Sequence, residues 1–254
     1  MLQAKNLLLT RQKSVLLQDI NCQISPNQLV SLIGHNGSGK STLIKVLAGE
    51  MSPNSGSLML DDIQLSEYGS KDLAKKLAYL PQQLPDAASF TVSELVMLGR
   101  YPHQKWLQKP SKIDQNKVTE AMRLTQIDTY ADRIVSTLSG GERARVWLAM
   151  CLAQDTQYLL LDEPLAALDV RYQIEVMALI RKLVDTQGLG VMMIVHDINL
   201  AAQYSDRIIA LKAGKICHDD TVDNIMQPPV LKDIFNVDMQ LLTHPVNGHP
   251  VAVV

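Results

Sequence analysis

Aromatic residues are scarce: two Phe, two Trp and seven Tyr make up 4% of the 254 residues. None precedes Tyr68, so the N-terminal stretch has no Phe, Trp or Tyr ring to offer a ligand. Cysteine is rarer still. Cys22, Cys151 and Cys217 form an odd, unpatterned set, which excludes a disulfide framework and fits a reducing compartment. Neither sign of charge dominates: 24 Lys and Arg against 26 Asp and Glu give a net charge of −2, which leaves no electrostatic footprint for nucleic acid. No apolar run approaches the length of a membrane span, and the start MLQAKNLLLTRQK does not read as a signal peptide. Work at a membrane would therefore need a partner. What is present is ordinary for a globular chain, with 46% hydrophobic and 20% charged residues. The length suits one large domain or two small ones with a substantial core.

Residues 1–24 alternate loosely without glycine or proline and predict two strands around a turn near Gln12. QLVSLI (28–33) is a short apolar strand that leads straight into a glycine-rich loop. KSTLIKVLAGE then has helical periodicity and stops at Gly49. GSLML is another strand, closed by a turn at Asp61 and Asp62, and SKDLAKKLAYL reads as a short helix followed by a strand ending at Pro81. From about residue 84 to 154 the pattern is helical: TVSELVMLGR, KIDQNKVTEAMRLTQI and GGERARVWLAMCLAQ. QYLLLDE and VMMIVHD are buried-type strands, each followed by a helix. This alternation predicts an α/β fold with a parallel sheet covered on both faces and interrupted by a helical insertion. The expected organisation is one domain over 1–254. Its core comes from 1–83 and 155–254, including an antiparallel β part, and 84–154 forms the helical subdomain.

GHNGSGKST, residues 34–42, fits the pattern G-x-x-x-x-G-K-[ST] in its required setting, strand before and helix after. Gly34, Gly37 and Gly39 let the backbone wrap closely, so that N–H groups along Gly34, His35, Asn36, Gly37, Ser38, Gly39, Lys40, Ser41 and Thr42 can face phosphates. Lys40 brings positive charge to the β- and γ-phosphates, Ser41 offers a hydroxyl to Mg²⁺, and the helix start adds its dipole. The bland alternative is a glycine-rich turn that binds nothing. In YLLLDEP, a buried strand ends in Asp162 and Glu163, where the ligand crevice of a parallel sheet opens. Asp162 is placed to hold Mg²⁺. Glu163 can polarise an attacking water, a role worth ~10²–10⁴ in rate. The alternative is a solvated acidic loop. His196 ends the strand VMMIV and could orient the same water. Gln82, after AYL, is a candidate sensor of Mg²⁺ and water, although Gln83 beside it leaves the register open. STLSGGERARVWLAM (136–150) adds a second glycine-rich helix start. Ser139, Gly140 and Gly141 would hold free nucleotide poorly without a lysine, and Ser139 with Glu142 also fits a capping box.

The loop, Gln82, LSGGE, LLLDEP, ALD and His196 occur in one fixed order over the whole chain. That order resembles the ATP-binding cassette (ABC) ATPases, with LSGGE as the most specific element. The resemblance implies a P-loop NTPase (RecA-like) core with ATP and Mg²⁺ as ligands, the metal being held by Ser41, Gln82 and Asp162. It also implies a head-to-tail homodimer in which Ser139, Gly140, Gly141 and Glu142 of one copy close on the triphosphate held by the other, with Asp169 in the linking turn. Such a half-site needs no lysine of its own. The chain departs from the family pattern in two places. Arg11 stands where an aromatic residue usually stacks on adenine, and a guanidinium can stack on a base. Leu165 and Ala166 replace hydroxyl residues common near the dimer seam.

Within the family, LIGHNGSGKSTLIKVLAG, LSGGERAR and HDINLAAQYSDRIIAL resemble the ATPases of iron-siderophore and vitamin B12 importers. GRYPH and the tail HPVNGHPVAV favour the iron(III)-hydroxamate branch. The resemblance implies a peripheral subunit on the cytoplasmic face of a bacterial inner membrane. It would dock a separate permease near Gln82 and Arg100–Pro102 and serve a periplasmic substrate-binding protein indirectly, with no nucleic acid involved. A polar surface loop is the plain alternative for Arg100–Pro102. His35, His103, His218, His244 and His249 show no paired ligand spacing with cysteine, and no iron site is expected because the cargo would not touch this subunit. Competing readings are the ATPase of a haem, vitamin B12 or other siderophore importer, a soluble ABC ATPase acting on ribosomes or DNA, and a non-hydrolysing regulatory module.

Overall fold

Loose alternation over residues 1–24 produces two antiparallel strands, β1 (Leu2–Arg11) and β2 (Ser14–Ile24), paired from Leu2 opposite Ile24 to Arg11 opposite Ser14. Gln12 turns the chain between them at φ 46°. The computed structural model describes residues 1–254 apart from Lys13, Ala88, Trp106, Leu107, Val246 and Asn247. Two residues of the tail HPVNGHPVAV, Val246 and Asn247, thus lie outside the described residues. Internal packing divides the chain into one unit of residues 1–67 and 181–254 and a second of residues 68–180.

In the first unit β1 also pairs with β4 (Ser55–Leu60), which turns at Asp61 and Asp62 into β5 (Ile63–Gln64); the order β2-β1-β4-β5 is antiparallel throughout. The apolar run of β3 (Gln28–Ile33) has no polar face, and accordingly Leu29, Val30, Leu32 and Ile33 are all buried. β3 pairs in parallel with β8 (Gly190–Ile194) on one side and β9 (Arg207–Lys212) on the other, while β10 (Lys215–Thr221) runs antiparallel along β9. Helix α1 (Lys40–Leu47) follows β3 and gives way at Gly49, whose φ of 78° favours a residue without a Cβ. After β8 comes α7 (Ile198–Tyr204), and after β10 come α8 (Val222–Ile225), α9 (Pro228–Phe235) and the hairpin β11 (Gln240–Thr243) with β12 (Pro250–Val253). Asn199 pins that hairpin to α7: its Nδ2 donates to Ala252 O at 3.1 Å and its Oδ1 accepts from Ala252 N at 2.8 Å.

In the second unit α2 (Ser70–Ala74) leads to β6 (Leu77–Leu80), which pairs in parallel with β7 (Tyr158–Leu161). Between them lie α3 (Val92–Leu98), α4 (Lys112–Leu124) and α5 (Gly140–Ala153). All three helices begin with reciprocal capping boxes, Thr91 with Glu94, Ser111 with Asp114 and Ser139 with Glu142. A cap of this kind is worth ~1 kcal/mol to the helix it starts. Helix α6 covers Val170–Gln187. α3 and α5 approach so closely at Gly99 that a Cβ there would lie 2.2 Å from Met150 O. The next residue corrects part of the docking expectation. Arg100 is not a surface group: its side chain is 4% exposed, its Nε donates to Asp114 Oδ1 at 2.9 Å, and its Nη1 donates to Ala153 O at 2.8 Å. Pro102 is buried as well, leaving Tyr101, 66% exposed, as the one of the three that faces solvent.

The mostly parallel core with an antiparallel β part and added helices is the fold class that the motif order implied.

Candidate functional site

Two pairs of parallel strands carry the candidate residues, one pair in each unit, by the same construction. In the first unit Leu32 of β3 lies opposite Ile194 of β8. Gly34 and His196 each follow two residues beyond that pair, at the carboxyl edge where ligands of parallel sheets bind. Gly34, at φ 138°, fits because a Cβ would sit 2.2 Å from Leu211 O. The loop then folds around its own lysine. Lys40 is 5% exposed, and its Nζ donates to Gly34 O at 2.7 Å and His35 O at 3.0 Å. Gly39 occupies the N-cap at φ 107° with no side-chain cap, and no acidic residue stands in the first turn of α1. The N–H groups there are therefore not claimed by a capping side chain. Ser41 and Thr42 lie in that first turn, and His35, Asn36 and Gly37 are exposed.

A triphosphate fits this loop on two observations. Ser38 Oγ is buried with no hydrogen-bond partner among the described residues, a costly state that a phosphate oxygen would relieve. At Gly37 nothing stands within 4 Å of where a Cβ would be, so the space above the backbone is open. His196 is exposed in the short link after β8. Asp197 beside it caps α7, accepting from Asn199 N at 2.7 Å and Leu200 N at 3.3 Å.

In the second unit Leu80 of β6 lies opposite Leu161 of β7, and Gln82 and Glu163 each follow two residues beyond. Their side chains meet: Gln82 Nε2 donates to Glu163 Oε2 at 2.7 Å. Of the two neighbouring glutamines, Gln82 is thus the one whose side chain reaches Glu163. Glu163 has φ 54°, a left-handed conformation that costs a non-glycine residue ~1 kcal/mol or more and concentrates at functional sites. Asp162 is 1% exposed at the end of the fully buried β7, and its backbone N donates to Leu80 O at 2.9 Å. A buried carboxylate at that edge has the oxygen chemistry a hard cation such as Mg²⁺ takes.

The signature stretch lies in the same unit. Ser139 caps α5, with its Oγ accepting from Glu142 N at 3.3 Å and its N donating to Glu142 Oε2 at 2.7 Å. The backbone bond from Ser139, foremost, holds the Glu142 carboxyl below the usual range. Ser139 and Gly140 are exposed, and nothing lies within 4 Å of a Cβ placed on Gly140. The capping box and an outward-facing helix start therefore coexist. Asp169 caps α6, its Oδ1 accepting from Tyr172 N at 3.0 Å, while Gln173 Nε2 donates to Leu165 O and Leu168 O and braces the ALD turn from behind. Leu165, which replaces a hydroxyl residue of the family pattern, is 8% exposed and packs inward. Arg11 is exposed at the end of β1. Gln173 escaped the motif reading, because its brace joins carbonyls that are close only after α6 has formed.

Residues 17–166 match the ABC transporter family. The chain is 41% identical to the petrobactin import ATP-binding protein FpuC of Bacillus anthracis, covering 89% of this chain and 83% of that protein. It is 38% identical to the iron(3+)-hydroxamate import ATP-binding protein FhuC of Bacillus subtilis (strain 168), covering 94% and 89% respectively. Among solved structures it resembles the dimeric structure of MJ0796, a bacterial ABC transporter cassette, with a TM-score of 0.79 and 27% identity over 87% of this chain and 99% of that one. A post-hydrolysis state of the same cassette bound to ADP and Pi superposes with a TM-score of 0.78 at 28% identity, again over 87% and 99%.

Proposed function

This chain belongs to the ABC transporter family and is an ATPase, and from that premise we propose that it powers import of an iron(III) siderophore through a separate membrane permease. Hydroxamate chelates are the first class to test, since the sequence is similar to both a petrobactin and a hydroxamate import subunit. Two copies would hold ATP head to tail, each supplying the phosphate loop for one nucleotide and Ser139, Gly140 and Gly141 for the other. Lys40 and the N–H groups of the loop bind the phosphates. Glu163 accepts a proton from the attacking water, and His196 orients that water. Ser41, Asp162 and Gln82 would hold Mg²⁺, which supplies charge neutralisation on the phosphates.

The observation that carries this reading is the 2.7 Å bond between Gln82 and Glu163. It brings the proposed base and the proposed sensor into direct contact. Gln82 would be the residue beside the metal, and Glu163 Oε1, which this bond does not use, would be left to the water. The same unit offers a surface on which the permease would dock. A groove of about 640 Å³ lies between α3 and α4, lined by Phe90, Met97, Leu98, Val118 and Met122, with Phe90 and Leu98 exposed. No helix among the described residues is long and apolar enough to cross a membrane. The chain would act as a peripheral subunit on the cytoplasmic face of the inner membrane, serving a periplasmic binding protein through the permease.

The test is to co-purify the chain with its permease, reconstitute the complex in vesicles and compare ATP-dependent uptake of a ferric hydroxamate, a ferric catecholate and haem. Uptake of the hydroxamate alone supports the full reading. Uptake of another chelate alone corrects the cargo, and ATP hydrolysis without a membrane partner or any uptake overturns the transport role.

A further inference from the structure

Adjacent residues of a regular strand point to opposite faces. Cys217 and His218 on β10 escape that rule because the pairing with β9 shifts between Ile216, opposite Leu211, and His218, opposite Ala210. The extra residue in this bulge lets both side chains turn toward α9. There Asp233 meets them, and one ligand atom from each of Cys217, His218 and Asp233 falls within 4.8 Å of the other two. We propose that Cys217, His218 and Asp233 form a binding site for a borderline divalent cation, of which Zn²⁺ is the best match.

The donor set selects that ion. One sulfur, one imidazole nitrogen and one carboxylate oxygen suit zinc, whereas magnesium and calcium take oxygen alone. The charges balance, because a thiolate and a carboxylate cancel the two positive charges of the ion. His218 Nε2 and Asp233 Oδ2 are already 2.8 Å apart, so the ion would replace the shared proton. Lys212 does not block the site. Its Nζ donates to Asp233 O at 2.7 Å and to Oδ1 at 2.8 Å, which fixes the carboxylate while leaving Oδ2 to the ion. Cys217 Sγ donates only a weak bond to Ala210 O at 3.3 Å, and its proton would leave to solvent on binding. Cys217 is half-buried and the Asp233 side chain is 50% exposed, so an ion has a path in and a water can complete a tetrahedron. The site has a reason to matter for nucleotide. Two residues beyond Asp233, the ring of Phe235 meets that of His35 in the phosphate loop at an interplanar angle of 74°, with centroids 6.3 Å apart. An ion that clamps α9 to β10 would steady that contact.

The test uses the untagged, nucleotide-free full chain, titrated with Zn²⁺ by calorimetry and with Co²⁺ by absorption. The expected result is one saturable equivalent of Zn²⁺, no binding of Mg²⁺ at the same concentration, and a thiolate-to-cobalt charge-transfer band. Cys217→Ser should abolish the band and weaken Zn²⁺ binding at least about tenfold, and Asp233→Asn should weaken it comparably while keeping the band at higher Co²⁺. Circular dichroism establishes that both variants are folded. Should one of them fail to fold, the other decides. Absence of saturable Zn²⁺ binding to the parent chain, or unchanged affinity in the folded variants, overturns the proposal.

Discussion

Arg100→Met removes a charge from the helical unit while keeping the volume of the side-chain stem, and its cost can be worked from the contacts. Arg100 and Asp114 have side chains only 4% and 8% exposed, so the pair is shielded from water. Breaking a buried pair from one side typically costs ~3–5 kcal/mol, because the remaining charge is left without its counterpart. Here Asp114 keeps bonds from Ser111 N at 2.9 Å and Ser111 Oγ at 2.7 Å, which favours the lower end. Ala153 O also loses its donor, itself a penalty of ~1–3 kcal/mol when no water replaces it. We expect a loss of about 3 kcal/mol. Adding Asp114→Asn, which neutralises the stranded carboxyl and can still cap α4, should restore part of that loss. Urea unfolding followed by tryptophan fluorescence reads the effect, with Trp147 of α5, 8% exposed, as a reporter within the 68–180 unit. Acid provides a second reading. Burial pushes the Asp114 carboxyl up, but hydrogen bonds from Ser111 and the Arg100 guanidinium outweigh it, and the net shift is downward. The stabilisation is therefore complete above the unfolded carboxyl value of ~3.9 and is lost as pH falls through the lower folded value. Without Arg100 the loss should begin at higher pH. A stability within ~0.5 kcal/mol of the parent would refute the reasoning and return Arg100 to the docking surface.

Gly34→Ala would force a Cβ to within 2.2 Å of Leu211 O at φ 138°, so nucleotide affinity measured by equilibrium dialysis should fall at least about tenfold, and unchanged affinity would mean the loop has another shape. Glu163→Gln should bind ATP yet hydrolyse it ~10²-fold or more slowly in a phosphate-release assay, with dimers accumulating on gel filtration; ordinary turnover would exclude Glu163 as the base. Arg11→Ala should weaken ATP binding only a few-fold and leave tripolyphosphate binding alone, consistent with a stacking contact worth ~1 kcal/mol at an exposed site. Equal effects on both ligands would dismiss the stacking role.

Local signals in this sequence were strong wherever one residue had to sit against its own neighbours. The turn at Gln12, the stop at Gly49 and the caps at Ser139 and Glu142 involve groups a few positions apart, and pattern reading located each. Choices that depend on distant pairing were out of reach. Whether Gln82 or Gln83 faces Glu163 is decided by the alignment of Leu80 with Leu161, which no stretch of either strand encodes by itself. Arg100 read as a loop residue because its partners, Asp114 and Ala153, are 14 and 53 positions away. The gathering of Cys217, His218 and Asp233 was equally hidden, since neighbouring Cys and His would face apart without a bulge. The elements after residue 212 are short and carry little periodicity, and their order became visible only in the structure.

The reciprocal bonds between Ser139 and Glu142 have a thermodynamic consequence. A helix start that is tied off in advance has no disorder left to surrender when phosphate reaches it. In the proposed head-to-tail pair, its contact with nucleotide on the other copy would then cost little ordering to form and could be released as readily.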